Sequence, residues 1–154
     1  MLQQICEHIL NYFTSQDAPV KTYTVHAGTV SPALSLTDGQ RFLVSGSSLN
    51  DGVYTYHADG ITNDDDTGEA GLTDETFTGT VSPMSVPRGV TELAQEIAAW
   101  CDKNADALSS PYQSENVIGV YSYTKATGRQ NGSGVITWQA QFADRLKRWR
   151  RISL

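Results

Sequence analysis

Carboxylates and their amide relatives crowd one stretch of the chain. Asn63, Asp65, Thr67, Gly68 and Asp74 fall at positions 1, 3, 5, 6 and 12 of the loop pattern that wraps a calcium ion in oxygen ligands. The fit is incomplete. Position 1 is Asn rather than Asp, position 12 is Asp rather than Glu, and the flanks read as strands rather than helices. Asn63, Asp65 and Asp74 are the metal candidates, set against the ordinary reading of an acidic loop tip left in solvent. No metal or other cofactor is expected. Asp64, Asp65 and Asp66 also raise the paired carboxylates of glycoside hydrolysis, but that reaction needs opposing walls of a cleft.

Other reactive residues have less context. Ser45-Gly46-Ser47-Ser48 and Gly132-Ser133-Gly134 do not match the G-x-S-x-G turn that exposes a nucleophilic serine. His8, His26 and His57 have no triad spacing around them, and no Cys/His pair has zinc spacing. Gly128–Gly134 lacks the Gly-Lys-Ser/Thr end of a phosphate-binding loop and reads as a linker. These residues assemble no catalytic site, and the chain is not expected to be an enzyme.

The elements that would position these residues follow from periodicity. Leu2, Ile5, Cys6, Ile9, Leu10 and Phe13 form an apolar helical stripe, predicted to end at Gln16-Asp17-Ala18-Pro19. Residues 20–86 read as β structure. Tyr23 and Val25 alternate with Thr22 and Thr24, and Arg41-Phe42-Leu43-Val44, Val53-Tyr54-Thr55-Tyr56 and Thr76–Val81 are β-branched and aromatic. Asp38-Gly39, Asn50-Asp51-Gly52 and Asp59-Gly60 supply turns, and a hairpin is expected across Ser45–Gly52. Short strands at this spacing suggest a small antiparallel sandwich or barrel-like unit.

Helix returns at Pro87, with Val90, Leu93, Ala94, Ile97 and Cys101 on one face and an end near Lys103-Asn104. Ser109–Gly134 reads as irregular apart from a strand-like run at Val120–Thr124. A last helix is capped by Thr137 and carries Trp138, Phe142, Leu146, Trp149 and Ile152 as its stripe. The expected fold class is α+β in a single domain, 1–154. Residues 1–18 and 87–154 form a mainly helical part whose two C-terminal helices pack with the first helix. Residues 20–86 are an antiparallel β insertion.

Composition narrows the function classes. The 154 residues are 39% hydrophobic and 18% charged, with 13 Gly and five Pro, which is globular and rich in turns. No apolar run approaches the roughly 18 residues of a membrane span, and MLQQICEHILNYF has no signal-peptide character. Cys6 and Cys101 read as buried thiols of a reducing cytoplasm, with a disulfide left open. Residues 1–144 hold 17 acidic and six basic side chains, a net of −11, and the last ten residues add five cations. No Lys or Arg lies between Arg41 and Arg88. An acidic body disfavours a general nucleic-acid surface. The basic end has three readings: it solvates a helix face, binds phosphate, or docks on an acidic partner, a second copy included. Trp138 and Trp149 are divided between core and interface.

Three stretches carry a resemblance. They are Gly39–Tyr54 (GQRFLVSGSSLNDGVY), then Ser110–Glu115 (SPYQSE) with Gly119–Lys125 (GVYSYTK), and Thr137-Trp138-Gln139 leading to Leu146–Arg150 (LKRWR). In this order the chain resembles head–tail connector (adaptor, head-completion) proteins of tailed bacteriophages. The resemblance implies a small helical domain with a β insertion. It also implies a structural role in the virion, as a twelve-fold ring between the portal protein and a tail-completion or stopper protein. Genomic DNA would be a passenger in the channel, no membrane would be involved, and assembly would take place in the host cytoplasm. Ser114, Glu115, Gly119, Tyr121 and Ser122, with Trp138, Arg145, Arg148 and Trp149, would lie near subunit or portal contacts. Asn116-Val117-Ile118 departs from the smaller, Gly-rich sequence expected there. The alternative is a ligand- or calcium-binding β module of a tail, baseplate or cell-surface recognition protein.

Overall fold

A computed structural model of the chain describes residues 1–15, 18–63, 71–109, 114–117, 121–124 and 137–151. Helix α1 (Leu2–Ile9) opens the fold, and six strands follow: β1 (Lys21–His26), β2 (Thr29–Ser31), β3 (Arg41–Ser45), β4 (Gly52–His57), β5 (Gly60–Asn63) and β6 (Glu75–Pro83). Helices α2 (Arg88–Lys103) and α3 (Ala105–Ser109), strands β7 (Ser114–Val117) and β8 (Tyr121–Thr124), and helices α4 (Trp138–Gln141) and α5 (Ala143–Lys147) complete it. The α+β class and the inserted antiparallel sheet match the sequence pattern.

The sheet runs β2-β1-β6-β3-β4-β5, with every pairing antiparallel. Its central strand β6 changes partner midway. Glu75–Gly79 pair with β1, and Thr80–Pro83 pair with β3. The change falls where two backbones touch: a Cβ on Gly79 would stand 2.2 Å from the Ser45 carbonyl oxygen. Gly46, at φ 94, faces it from the end of β3.

Because side chains alternate across a strand, β3 and β4 feed two cores. Phe42, Val44 and Tyr54 point inward to join Tyr23, Val25, Val30, Leu72 and Phe77. Two aromatic pairs stack across adjacent strands, Tyr23 on Phe77 and Phe42 on Tyr54, with centroids 5.5 and 5.8 Å apart. Leu43 and Val53 point the other way, against Ile5, Cys6 and Ile9 of α1, Val90, Leu93 and Ile97 of α2, and Leu146 of α5. The outer face of β1 and β6 instead carries exposed threonines, Thr22 on Thr78 and Thr24 on Thr76, each pair bonded through its hydroxyls at 3.1 Å.

Several boundaries differ from the pattern. α1 stops at Ile9, where Leu10 turns left-handed (φ 54) and stands exposed, so the stripe does not continue to residue 16. Phe13 also has positive φ; its carbonyl accepts the Ser85 N–H, and the neighbouring Thr14 bridges Met84. The backbone here joins the sheet rather than a helix. Pro87 caps α2 rather than opening it, and Asn104 ends it by donating to the Trp100 carbonyl. In the stretch from Ser109 to Gly134 the expected strand-like run is β8, and it pairs with a strand that was not expected, β7; α3 ends at the first residue of that stretch. The last helix is two short ones, broken at Phe142 (φ −105, ψ 12), and α5 ends at Lys147, before Trp149. Cys6 is buried and Cys101 half-buried, both as thiols, and burial pushes the Cys101 thiol up.

Candidate functional site

The C-terminal segment returns across the helical layer, and long-range contacts hold it there. Thr137 accepts the Ala140 N–H at 3.2 Å and starts α4 as an N-cap. Trp138 meets His8 edge-on at 5.5 Å, and Phe142 meets Trp100 edge-on at 6.0 Å. Arg145 pairs through both guanidinium nitrogens with Glu96, the longer arm at 3.0 Å. That pair lowers the Glu96 carboxyl and raises the guanidinium, though an exposed pair orients more than it stabilises. Trp149 packs beside Phe13 and over Gly89, where an added Cβ would meet its ring at 3.2 Å. Arg148 lies over the Trp149 ring at 4.8 Å. Asn11 donates to the Trp149 carbonyl at 3.0 Å, and the Arg151 N–H reaches the Ile9 carbonyl at 3.1 Å.

The proposed interface residues therefore divide. Trp138 and Trp149 pack against the core, and Arg145 and Arg148 have intramolecular partners. Ser114, Glu115, Tyr121 and Ser122 come together on the β7–β8 hairpin, in register Glu115 opposite Tyr123 and Asn116 opposite Ser122. Gly119 lies outside the described residues. Lys147, Arg150 and Arg151 belong to the basic end that the sequence marks but were not among the interface residues; their side chains are exposed and take part in no ion pair among the described residues. Lys147 and Arg150 line a groove of about 280 Å³ with His8, Ile9, Asp144 and Leu146.

Two of the three metal candidates lie within the described residues. Asp74 accepts the Ala27 N–H at 2.8 Å and lies 3.1 Å from His26 Nδ1, so its carboxylate fastens the tight β1–β2 turn. Ala27 and Gly28 both have positive φ in that turn, as a two-residue primed hairpin requires. Asn63 sits in β5 opposite Tyr54, and Asp65 lies outside the described residues. Among the described residues, no three His, Cys, Asp or Glu side chains converge as a metal site.

Glu75 is the carboxylate with the densest surroundings, and no motif announced it. Ser47 Oγ donates to it, as do Ser48 Oγ at 2.5 Å, the Ser48 N–H at 3.1 Å, the Leu49 N–H at 3.3 Å and Asn50 Nδ2 at 3.0 Å. The serine hydroxyls above all pull its pKa down to about 2. Asn50 is buried and exchanges two further bonds with the Thr73 backbone. The Ser-Gly-Ser-Ser-Leu-Asn-Asp run, rich in short donors beside a strand pair, is the signal that could have suggested such a loop.

A shallow cleft of about 470 Å³ opens at the end of the sheet between the β1–β2 and β4–β5 turns, lined by Thr29, Leu34, Tyr56, His57, Asp59 and Ile61 among others. No family model, curated protein or solved structure matches the chain. No described helix is long and apolar enough to cross a membrane.

Proposed function

We propose that the chain is a structural subunit of a bacteriophage neck, as its resemblance to head–tail connectors implies. It does no chemistry of its own, and its copies close a ring between portal and tail. The observation that carries this reading is an uneven placing of cations. The exposed Lys147, Arg148, Arg150 and Arg151 cluster at the C-terminal end of the helical layer, which also carries Glu7, Glu92, Glu96 and Asp144. The described strands of the sheet hold only Lys21 and Arg41 as cations, and its turns and loops hold Asp38, Asp51, Asp59 and Asp74. Two unlike surfaces on one chain favour head-to-tail association, which closes into a ring when the rotation allows. An acidic body also suits a channel wall, because it repels phosphate and lets a duplex slide. On this reading the portal and a tail-completion or stopper protein cover the ring's two faces, and the protein resides in the virion after assembly in the host cytoplasm.

Quantitative mass spectrometry of purified particles tests it. A constant copy number near that of the portal supports a ring at the neck, and absence from mature particles removes the reading.

The cleft at the end of the sheet favours a second reading, a ligand- or calcium-binding β module. Calorimetry with calcium tests its metal form: no heat and no thermal stabilisation would end it.

A further inference from the structure

We propose that the Ser45–Gly52 loop of one copy docks, through Leu49, into the basic groove between α1 and α5 of a second copy. The inference rests on the ring reading and names the two surfaces that would meet.

The loop is built as a rigid display. The Glu75 carboxylate gathers Ser47, Ser48, Leu49 and Asn50, and Asp51 accepts the Ser47 N–H at 2.7 Å. Asn50, 1% exposed, ties the base of the loop to Thr73 from inside. Leu49 is left 61% exposed at the outer edge of this network. An apolar side chain on a loop already ordered in the monomer loses little further conformational freedom when it is buried.

The groove offers the complement. Ile9 and Leu146 form its apolar floor, Lys147 and Arg150 its cationic rim, and Asp144 and His8 its remaining polar lining. Exposed Leu10, held left-handed at φ 54, follows directly on Ile9. At about 280 Å³ the groove is small beside most ligand pockets, and suits one inserted side chain better than a free ligand. The knob carries Asp51 two residues from Leu49, so an anion enters beside two cations.

Placement permits a closing chain of contacts. Gln3 accepts the Val53 N–H, so the loop's β4 end lies along the Gln3–Glu7 flank of α1. His8 opens the groove on the flank across the buried stripe, which the helical repeat of 3.6 residues places well apart from Gln3. The knob and the groove are thus different patches of one molecule, as a heterologous contact requires.

A carbodiimide, which joins a carboxylate to an amine with no spacer, tests the contact on the full chain mixed as equal 15N-labelled and unlabelled copies. The expected product is an isotopically mixed cross-link between Asp51 and Lys147. Leu49→Asp should cut its yield about tenfold, and Lys147→Glu should weaken self-association about tenfold, as expected for losing one buried leucine or one facing charge. Lys147→Glu removes the reacting amine as well, so its loss is scored by sedimentation of the self-associated species. Asp51→Lys combined with Lys147→Glu should restore that species. Leu49→Asp should keep the parent melting temperature, since its side chain is exposed. Mixed cross-links that join other surfaces and are indifferent to Leu49→Asp would overturn the contact while leaving the ring reading in place. So would a ring's copy number in particles that carry no Asp51–Lys147 cross-link. The cross-link formed by a chain absent from particles would keep the contact and remove the connector reading.

Discussion

The two faces of the sheet make an instructive contrast. Inside its curl, aromatic side chains stack in cross-strand pairs, Tyr23 with Phe77 and Phe42 with Tyr54. Behind β3 and β4, aliphatic residues of three helices form a second core, with Trp138, Phe142 and Trp149 only partly buried at its margin. The reverse face of β1 carries the exposed threonine ladder, with no helix packed on it among the described residues. The difference shows what couples the molecule. β3 and β4 belong to both cores by alternation, so neither core loses its packing without disturbing the other. β1 and β6 place their buried apolar side chains, Tyr23, Val25 and Phe77, in the first core alone.

The contrast is broken most severely by deleting one large side chain from each core. Phe42→Ala and Ile97→Ala, both fully buried, should cost about 3–5 and about 2–5 kcal/mol respectively. Each should lower one shared calorimetric transition; two separate transitions would show that the cores unfold independently. Gly79→Ala attacks the point where β6 passes from one half to the other. Its Cβ would meet backbone, which cannot swing aside, so a loss of about 1–3 kcal/mol or more is expected in denaturant titration.

A gentler test uses pH. The folded pKa of Glu75 is about 2 against an ordinary 4.5, so its contribution is complete above about pH 5 and fades as pH falls toward 2. Glu75→Gln should be less stable than the parent at neutral pH, with the gap narrowing through that acid window in urea titrations. The smallest effect belongs to the uncovered face. Thr24→Ala removes one exposed cross-strand pair and should cost only about 0.2–1 kcal/mol, near the limit of a thermal-melt comparison.

Much of the scaffold was legible in local pattern. The T-Y-T-V and T-F-T-G alternations became the two faces of β1 and β6, and the stripe Val90, Leu93, Ala94, Ile97 became the buried face of α2. Short edge strands were not legible. β2 and β5 have three and four residues, too few to show a period, and the Ala27-Gly28 turn depends on Asp74 from 47 residues away. Apolar spacing also overran the real helices. Leu10 and Ile152 both extend a stripe, but the chain turns left-handed at Leu10, and the last helix has ended by Lys147. Among the candidate interface residues, sequence favoured Trp138, Arg145, Arg148 and Trp149 for their types. Arg145 and Arg148 are exposed but engaged by Glu96 and the Trp149 ring, whereas Lys147, Arg150 and Leu49 are exposed and enter no ion pair or ring contact among the described residues.

Sequence alone determined the longer elements, the α+β class, the Thr137 cap and the acidic body with its basic end. Those depend on neighbours within a turn or a strand, where periodicity and composition act directly. Tertiary structure alone decided which cations and carboxylates are already engaged. Arg145 meets Glu96 across 49 residues, Asn11 meets Trp149 across 138, and Glu75 collects a loop more than 20 residues upstream. A side chain's residue type states what it can bond to. Whether that capacity is satisfied inside the molecule or left for a partner depends on which distant segment the fold brings beside it.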